Sequence, residues 1–157
     1  MSNKAKNDKG SILVDIENLL DAFEPAFMRM PKIRRIHGAA VRMEDAAYDI
    51  IHYFTIAYEL GPNEGKEKKF YIAQMLGAYG RLQSAFKRLM KVDLDTMKKS
   101  DGCCSHQLHL FSDKTKLAIA QSMEKIEEGI IKWRKSVKVL DIMSVERSAT
   151  LLPEVQR

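Results

Sequence analysis

The chain has 157 residues, 26 Lys+Arg against 21 Asp+Glu, four His, two Cys and 45% hydrophobic residues. That length and apolar share predict a single folded domain and exclude global disorder. No run approaches the roughly 18 consecutive apolar residues that span a bilayer, which excludes an integral helical membrane protein.

The polar start, with Lys4, Lys6, Asp8 and Lys9 and no uncharged apolar stretch after it, lacks the secretory-signal pattern. A cytoplasmic protein with residues 1–10 disordered is expected. Cys103 and Cys104 are neighbours and cannot form a spaced disulfide framework, which fits a reducing compartment. The formal net charge of +5 is unevenly placed: residues 1–60 carry −1, 61–100 carry +5 and 101–157 carry +1. A basic middle suits an anionic partner, and it suits a solvated surface equally well.

Ile12, Ile16, Leu19, Phe23, Phe27 and Met30 recur at steps of three and four, which predicts a first helix over 11–30. Pro25 lacks an amide donor and crowds the carbonyl four residues earlier, so a kink or break near Asp21 is expected. Pro31 can open a second helix, and Ile33, Ile36, Ala40, Met43, Ala47, Ile50, Phe54 and Ala57 form its seam. Gly61 can close that helix in the left-handed conformation, and Pro62 cannot extend it. A third helix is predicted over 66–91 with Ile72, Met75, Tyr79, Leu82, Phe86 and Leu89 inward. Gly77 and Gly80 inside it each cost roughly 1 kcal/mol against alanine, which predicts the close approach of another helix.

Periodicity fails over 92–111, predicting a long connection. Ser112 is the expected cap of a fourth helix with Ile119, Met123, Ile126, Ile130, Trp133, Val137 and Leu140 along one face. Residues 141–157 read as a tail. Four such stripes predict an all-α, antiparallel up-down-up-down four-helix bundle spanning 11–140. Tyr48, Ile51, Tyr53, Tyr58, Phe70, Leu76 and Ile131 fall off the stripes, and apolar surface left outside favours a homo-oligomer.

Catalytic patterns are missing. Cys103, Cys104, His106 and His109 crowd one segment, but adjacent cysteines are poor tetrahedral ligands and the usual C-x₂₋₄-C spacing is absent. No Glu-x-x-His pair supports a di-iron bundle. The Arg to His spacing of helical HEPN-type ribonucleases is not met, because Arg35 lies too near His37 and Arg29 too far from it. No triad order, phosphate-binding loop or HExxH appears. A non-enzyme without metal or cofactor is expected, with His37 and His52 as partly buried histidines beside the core.

The basic residues form rows off the seams: Arg34, Arg35 and Arg42 on the second helix, Arg81, Lys87, Arg88 and Lys91 on the third, and Lys132 and Arg134 on the fourth. Residues seven apart share nearly one azimuth, so such rows could neutralise phosphates. Base reading is not expected, since neither a recognition helix nor interleaved exposed aromatics is evident.

Three stretches together resemble a known family. Met30-Pro31-Lys32-Ile33-Arg34-Arg35-Ile36-His37-Gly38, leading into Asp49-Ile50-Ile51 and Ala57-Tyr58, resembles the second helix of the accessory variability determinants of diversity-generating retroelements. Leu82-Gln83-Ser84-Ala85-Phe86-Lys87-Arg88-Leu89 is similar to that family's third helix, and Glu124 to Trp133 to its last. The resemblance spans 17–138, and it departs from the family in the longer 92–110 connection and the tail. It implies a homopentameric ring that binds a reverse transcriptase and its template RNA and supports mutagenic cDNA synthesis without performing the chemistry. Carried over by position, Arg34, Arg35, Arg42, Arg81, Lys87, Arg88 and Lys91 would meet RNA or an acidic partner. A similar branch, encoded within intervening sequences of 23S ribosomal RNA genes, implies instead a structural or protein-interaction module.

Overall fold

In a computed structural model, the backbone is described for residues 2–30, 34–99 and 111–138, and side chains for 12–30, 36–91 and 111–138. Four helices follow in chain order: α1 (Ser2–Arg29), α2 (Arg34–Glu59), α3 (Gly65–Lys99) and α4 (Asp113–Ser136). No strand occurs among the described residues. The all-helical class follows from the stripes, because a helix with one apolar face is stable only when that face is covered.

The seams enter one core. Ile12, Ile16, Leu19 and Phe23 of α1 lie with Met43, Ile50, Ile72, Met75, Leu82, Leu89, Ile119, Ile126 and Ile130, all at most 1% exposed. Withdrawing each such side chain from water contributes about 1.5–3 kcal/mol. Packing is most extensive between α2 and α3, then between α1 and α4, with α3–α4 and α1–α2 contacts completing the circuit. Phe23 joins α1 to Phe111 just ahead of α4, with ring centroids 6.2 Å apart, and Phe54 of α2 meets Trp133 of α4 at 5.3 Å.

Several local expectations change. α1 starts at Ser2 rather than near Ser11, so the segment expected as a disordered start is helical from residue 2. Its lysines and alanine are good helix formers, and no apolar stripe was there to reveal it. Pro25 does not break α1, which continues to Arg29, where the guanidinium Nε donates to the Pro25 carbonyl at 3.2 Å. Gly61 is extended, with φ −78° and ψ 173°, and is not left-handed. It opens a 3₁₀ turn over Pro62–Glu64, where the Gly61 amide donates to the Glu64 carboxylate at 2.8 Å and the Glu64 amide to the Gly61 carbonyl at 3.0 Å. The side-chain acceptor replaces the expected backbone closure.

α3 runs eight residues beyond its expected end at Lys91, to Lys99. The segment expected as a connection over 92–111 is therefore helical over 92–99, its residues 100–110 and the expected tail over 141–157 lie outside the described residues, and Phe111 is buried. Ser112 caps α4 as expected, its Oγ accepting from the Thr115 amide at 3.1 Å. Of the off-stripe residues, Tyr48, Tyr58 and Phe70 are about half exposed, while Ile51, Tyr53 and Leu76 pack at the edge of the core. His37 and His52 are exposed instead of partly buried. His37 stacks on Phe27 at 5.7 Å, one helical position outside the seam.

The glycines separate in an unexpected way. A Cβ built at Gly77 or Gly80 meets nothing within 4 Å, so among the described residues no helix packs closely against either glycine. The close approach is at Gly129, where a Cβ would stand 2.8 Å from Cγ1 of the buried Ile12. Gly129→Ala should lower stability in urea unfolding by about 1–3 kcal/mol through overpacking. Gly77→Ala should raise it by up to about 1 kcal/mol through helix propensity.

Tyr79 ties α3 to α4. Burial pushes its phenol well above the ordinary value, assisted by a hydrogen bond to Glu127 and the charges of Glu127 and Glu124. A raised folded pKa stabilises fully below the unfolded value of about 10 and is lost as pH rises through the folded one. Stability of the wild-type protein should therefore fall more steeply above pH ~10 than that of Tyr79→Phe, read by denaturant midpoints across an alkaline pH series.

Candidate nucleic-acid interface

On the outer side of the α2–α3 pair lies an open groove of about 730 Å³. Its α2 wall carries Arg42, Asp45 and Asp49, and its α3 wall Arg81 and Arg88. The floor is small: Ala46, Gly77, Gly80, Ser84 and Ala85. The helical repeat explains the assembly, because Arg42 and Asp49 are seven residues apart, as are Gly77 and Ser84, and Arg81 and Arg88. With no side chain at Gly77 and Gly80, the α3 backbone itself forms part of the groove surface. The glycines that suggested a packed neighbour therefore line an open space.

Arg81 bridges the two walls, its guanidinium Nη2 donating to Asp49 Oδ2 at 3.0 Å. Both side chains are about half exposed, at 57% and 49%, so water screens the pair. Three arginines and two carboxylates give the groove a mixed lining with a small positive excess. It can attract phosphates at Arg42 and Arg88, but it is not a uniformly cationic channel.

The structure sorts the nine sequence-based candidates. Arg42, Arg81 and Arg88 share the groove. Lys91 is exposed one turn beyond Arg88 on α3, and Lys87 is exposed on the same helix without lining the groove. Arg34 and Arg35 stand in the first turn of α2, and their side chains lie outside the described residues. Lys132 and Arg134 are exposed in the last turns of α4 and do not reach the groove. Cys103, Cys104, His106 and His109 lie outside the described residues. Among the residues that are described, no cluster of three or more His, Cys, Asp or Glu could hold a metal ion.

Sequence reasoning missed two features of this face. Asp45 and Asp49 are invisible to a reading that follows only the cations of the row, although the seven-residue spacing from Arg42 places Asp49 on that row. The second is an aromatic series at the turn end of α2 and α3. His52 adjoins Tyr53 at 5.5 Å, Tyr53 adjoins Tyr71 at 6.5 Å, and Tyr71 meets Phe70 edge-on at 5.3 Å. These rings stand beyond the groove lining and are not interleaved with its arginines, and spacing along one helix does not reveal them because residues on two helices combine only when the helices pair.

Elsewhere, Tyr48 Oη donates to Glu24 at 2.9 Å, joining α1 and α2 on an acidic flank that includes Glu44 and Asp45. Desolvation, with Glu24 and Asp45 nearby, raises the Glu44 pKa. That flank disfavours anions next to Asp45 and leaves Arg42, Arg81 and Arg88 as the cationic part of the groove. No helix among the described residues is long and apolar enough to cross a membrane. Comparisons with protein-family models, with curated proteins and with solved structures each found no significant match.

Because the Arg81–Asp49 pair is exposed, Asp49→Ala should change unfolding stability by no more than about 1 kcal/mol. A larger loss in chemical denaturation would mean that the bridge holds α2 and α3 together.

Proposed function

We propose that this protein is a non-catalytic, nucleic-acid-binding helical bundle that works in the cytoplasm as an accessory factor of a diversity-generating retroelement. It binds template RNA and the reverse transcriptase through its basic helix faces. The observation that carries the reading is the groove in which Arg42, Arg81 and Arg88, contributed by two helices, converge on one surface. The three sequence stretches that resemble accessory variability determinants direct it toward that reaction.

The helices run up-down-up-down in this reading. In support, Ile12 of α1 lies beside Gly129 of α4 while Phe23 lies beside Phe111, so partners descend along one element as they ascend the other. Tyr53 with Tyr71 and Asp49 with Arg81 repeat this between α2 and α3. A homopentameric ring would multiply the arginine rows by symmetry, turning weak attraction at each protomer into multivalent binding. The half-exposed Tyr48, Tyr58 and Phe70 supply apolar surface that assembly or a partner can cover.

A second reading, a protein-interaction module like that implied by the ribosomal intervening-sequence branch, draws on Asp45 and Asp49. Carboxylates facing a groove suit a protein surface of mixed charge better than a phosphate backbone.

Size-exclusion chromatography with light scattering and dual-wavelength absorbance separates the two. Under the retroelement reading, the protein elutes at pentamer mass with nucleic acid that high salt removes. The double variant Arg81→Glu with Arg88→Glu then keeps its helical circular dichroism, loses RNA affinity, and shows a salt slope shallower by about 0.7 for each single-strand phosphate contact removed. Unchanged affinity and slope in that variant would reduce the arginine row to solvated surface.

A further inference from the structure

We infer that the α2–α3 face is a track for single-stranded nucleic acid, with the arginine groove taking phosphates and the His52–Tyr53–Tyr71–Phe70 ring series taking unpaired bases. The inference rests on the nucleic-acid reading above and adds to it the strandedness of the ligand and the residues that recognise it.

Register places the rings on the same face as the groove. His52 is seven residues from Asp45, and Phe70 is seven from Gly77, so each continues a groove wall at nearly the same azimuth. From Phe70 to Arg88 the face extends about 27 Å along α3, at roughly 1.5 Å per residue. That length suits at least the smallest single-strand sites, on the order of 4 nucleotides.

Chemistry separates the two ends. Phe70 is 57% exposed and His52 is also exposed, so both rings present surface to solvent at the turn end, where Lys66 is exposed one turn from Phe70. Tyr53 and Tyr71 pack against the core and hold the series in place, which lowers the ordering cost of stacking. At the other end Arg42 and Arg88 stand across the groove, and Arg81 offsets Asp49 between them. A π-face stacks any unpaired base, whereas a duplex has its base faces already covered and offers the rings nothing. Cations alone would bind both forms. Cations in line with exposed rings select the single strand.

The test is fluorescence anisotropy on the full-length protein with a labelled 12-nucleotide RNA of mixed sequence, single-stranded and annealed to its complement, over a salt series. The single strand should bind more tightly than the duplex. Phe70→Ala combined with His52→Ala should weaken single-strand binding at least about fivefold while leaving the duplex and the salt slope unchanged. Phe70→Trp should retain the preference. Both positions are exposed, and circular dichroism checks that the helices persist.

Equal binding of the two forms, unaffected by Phe70→Ala with His52→Ala but lost in Arg81→Glu with Arg88→Glu, overturns the track and leaves the nucleic-acid reading standing. No binding of either form by the wild-type protein overturns both.

Discussion

Where α2 meets α3, the two most heavily packed helices, Met43, Ile50, Ile72, Met75 and Leu82 are removed from water within the common core. That burial fixes the rotation of each helix about its own axis. Once Met75 and Leu82 point inward, Gly77, Arg81 and Arg88 must face outward, and once Met43 and Ile50 are buried, Arg42, Asp45 and Asp49 rise beside them. The groove is the outer counterpart of this seam. Turning either helix by one residue would move its groove wall by about 100° and dissolve the site.

The distribution of glycine and alanine shows how the same helices serve two purposes. At Gly129 the missing Cβ admits Ile12 and lets α1 and α4 close together. At Gly77 and Gly80 the missing Cβ admits nothing among the described residues, and the helix accepts the entropic cost of glycine on an open face. Stability therefore explains one glycine and not the other two. Two glycines that weaken α3 without improving packing are physically reasonable where a ligand must approach the backbone.

Electrostatics refine the surface without building the fold. The exposed Arg81–Asp49 bridge contributes little to stability, yet it holds one guanidinium between the walls and offsets one carboxylate. The carboxylates of Glu24, Glu44 and Asp45 gather on the neighbouring flank, where Tyr48 joins two of the helices. The net charge of +5 is thus less informative than its placement. Arg42 and Arg88 stand on opposite walls of the groove, and the acidic flank begins at Asp45 on the α2 wall.

The sequence by itself determined the helical class, most of the core positions and the cap at Ser112, because these depend on spacing along one helix and on contacts a few residues apart, while Phe27, Phe86, Trp133 and Val137 stay at the core's edge and Phe111 enters it from outside any stripe. It also named the arginines, since residues seven apart share a face whatever that face meets. Pairing alone decided which rows came together. Arg42 joined Arg81 and Arg88 while Lys132 and Arg134 stayed away, and His52 and Tyr53 joined Phe70 and Tyr71 across two helices. Gly61 and Glu64 close a turn through a side-chain bond, and Gly129 meets a residue more than a hundred positions away. Periodicity measures each helix against its own axis, whereas a groove or a close contact depends on the rotation of one axis relative to another, which is set only when the apolar stripes are buried together.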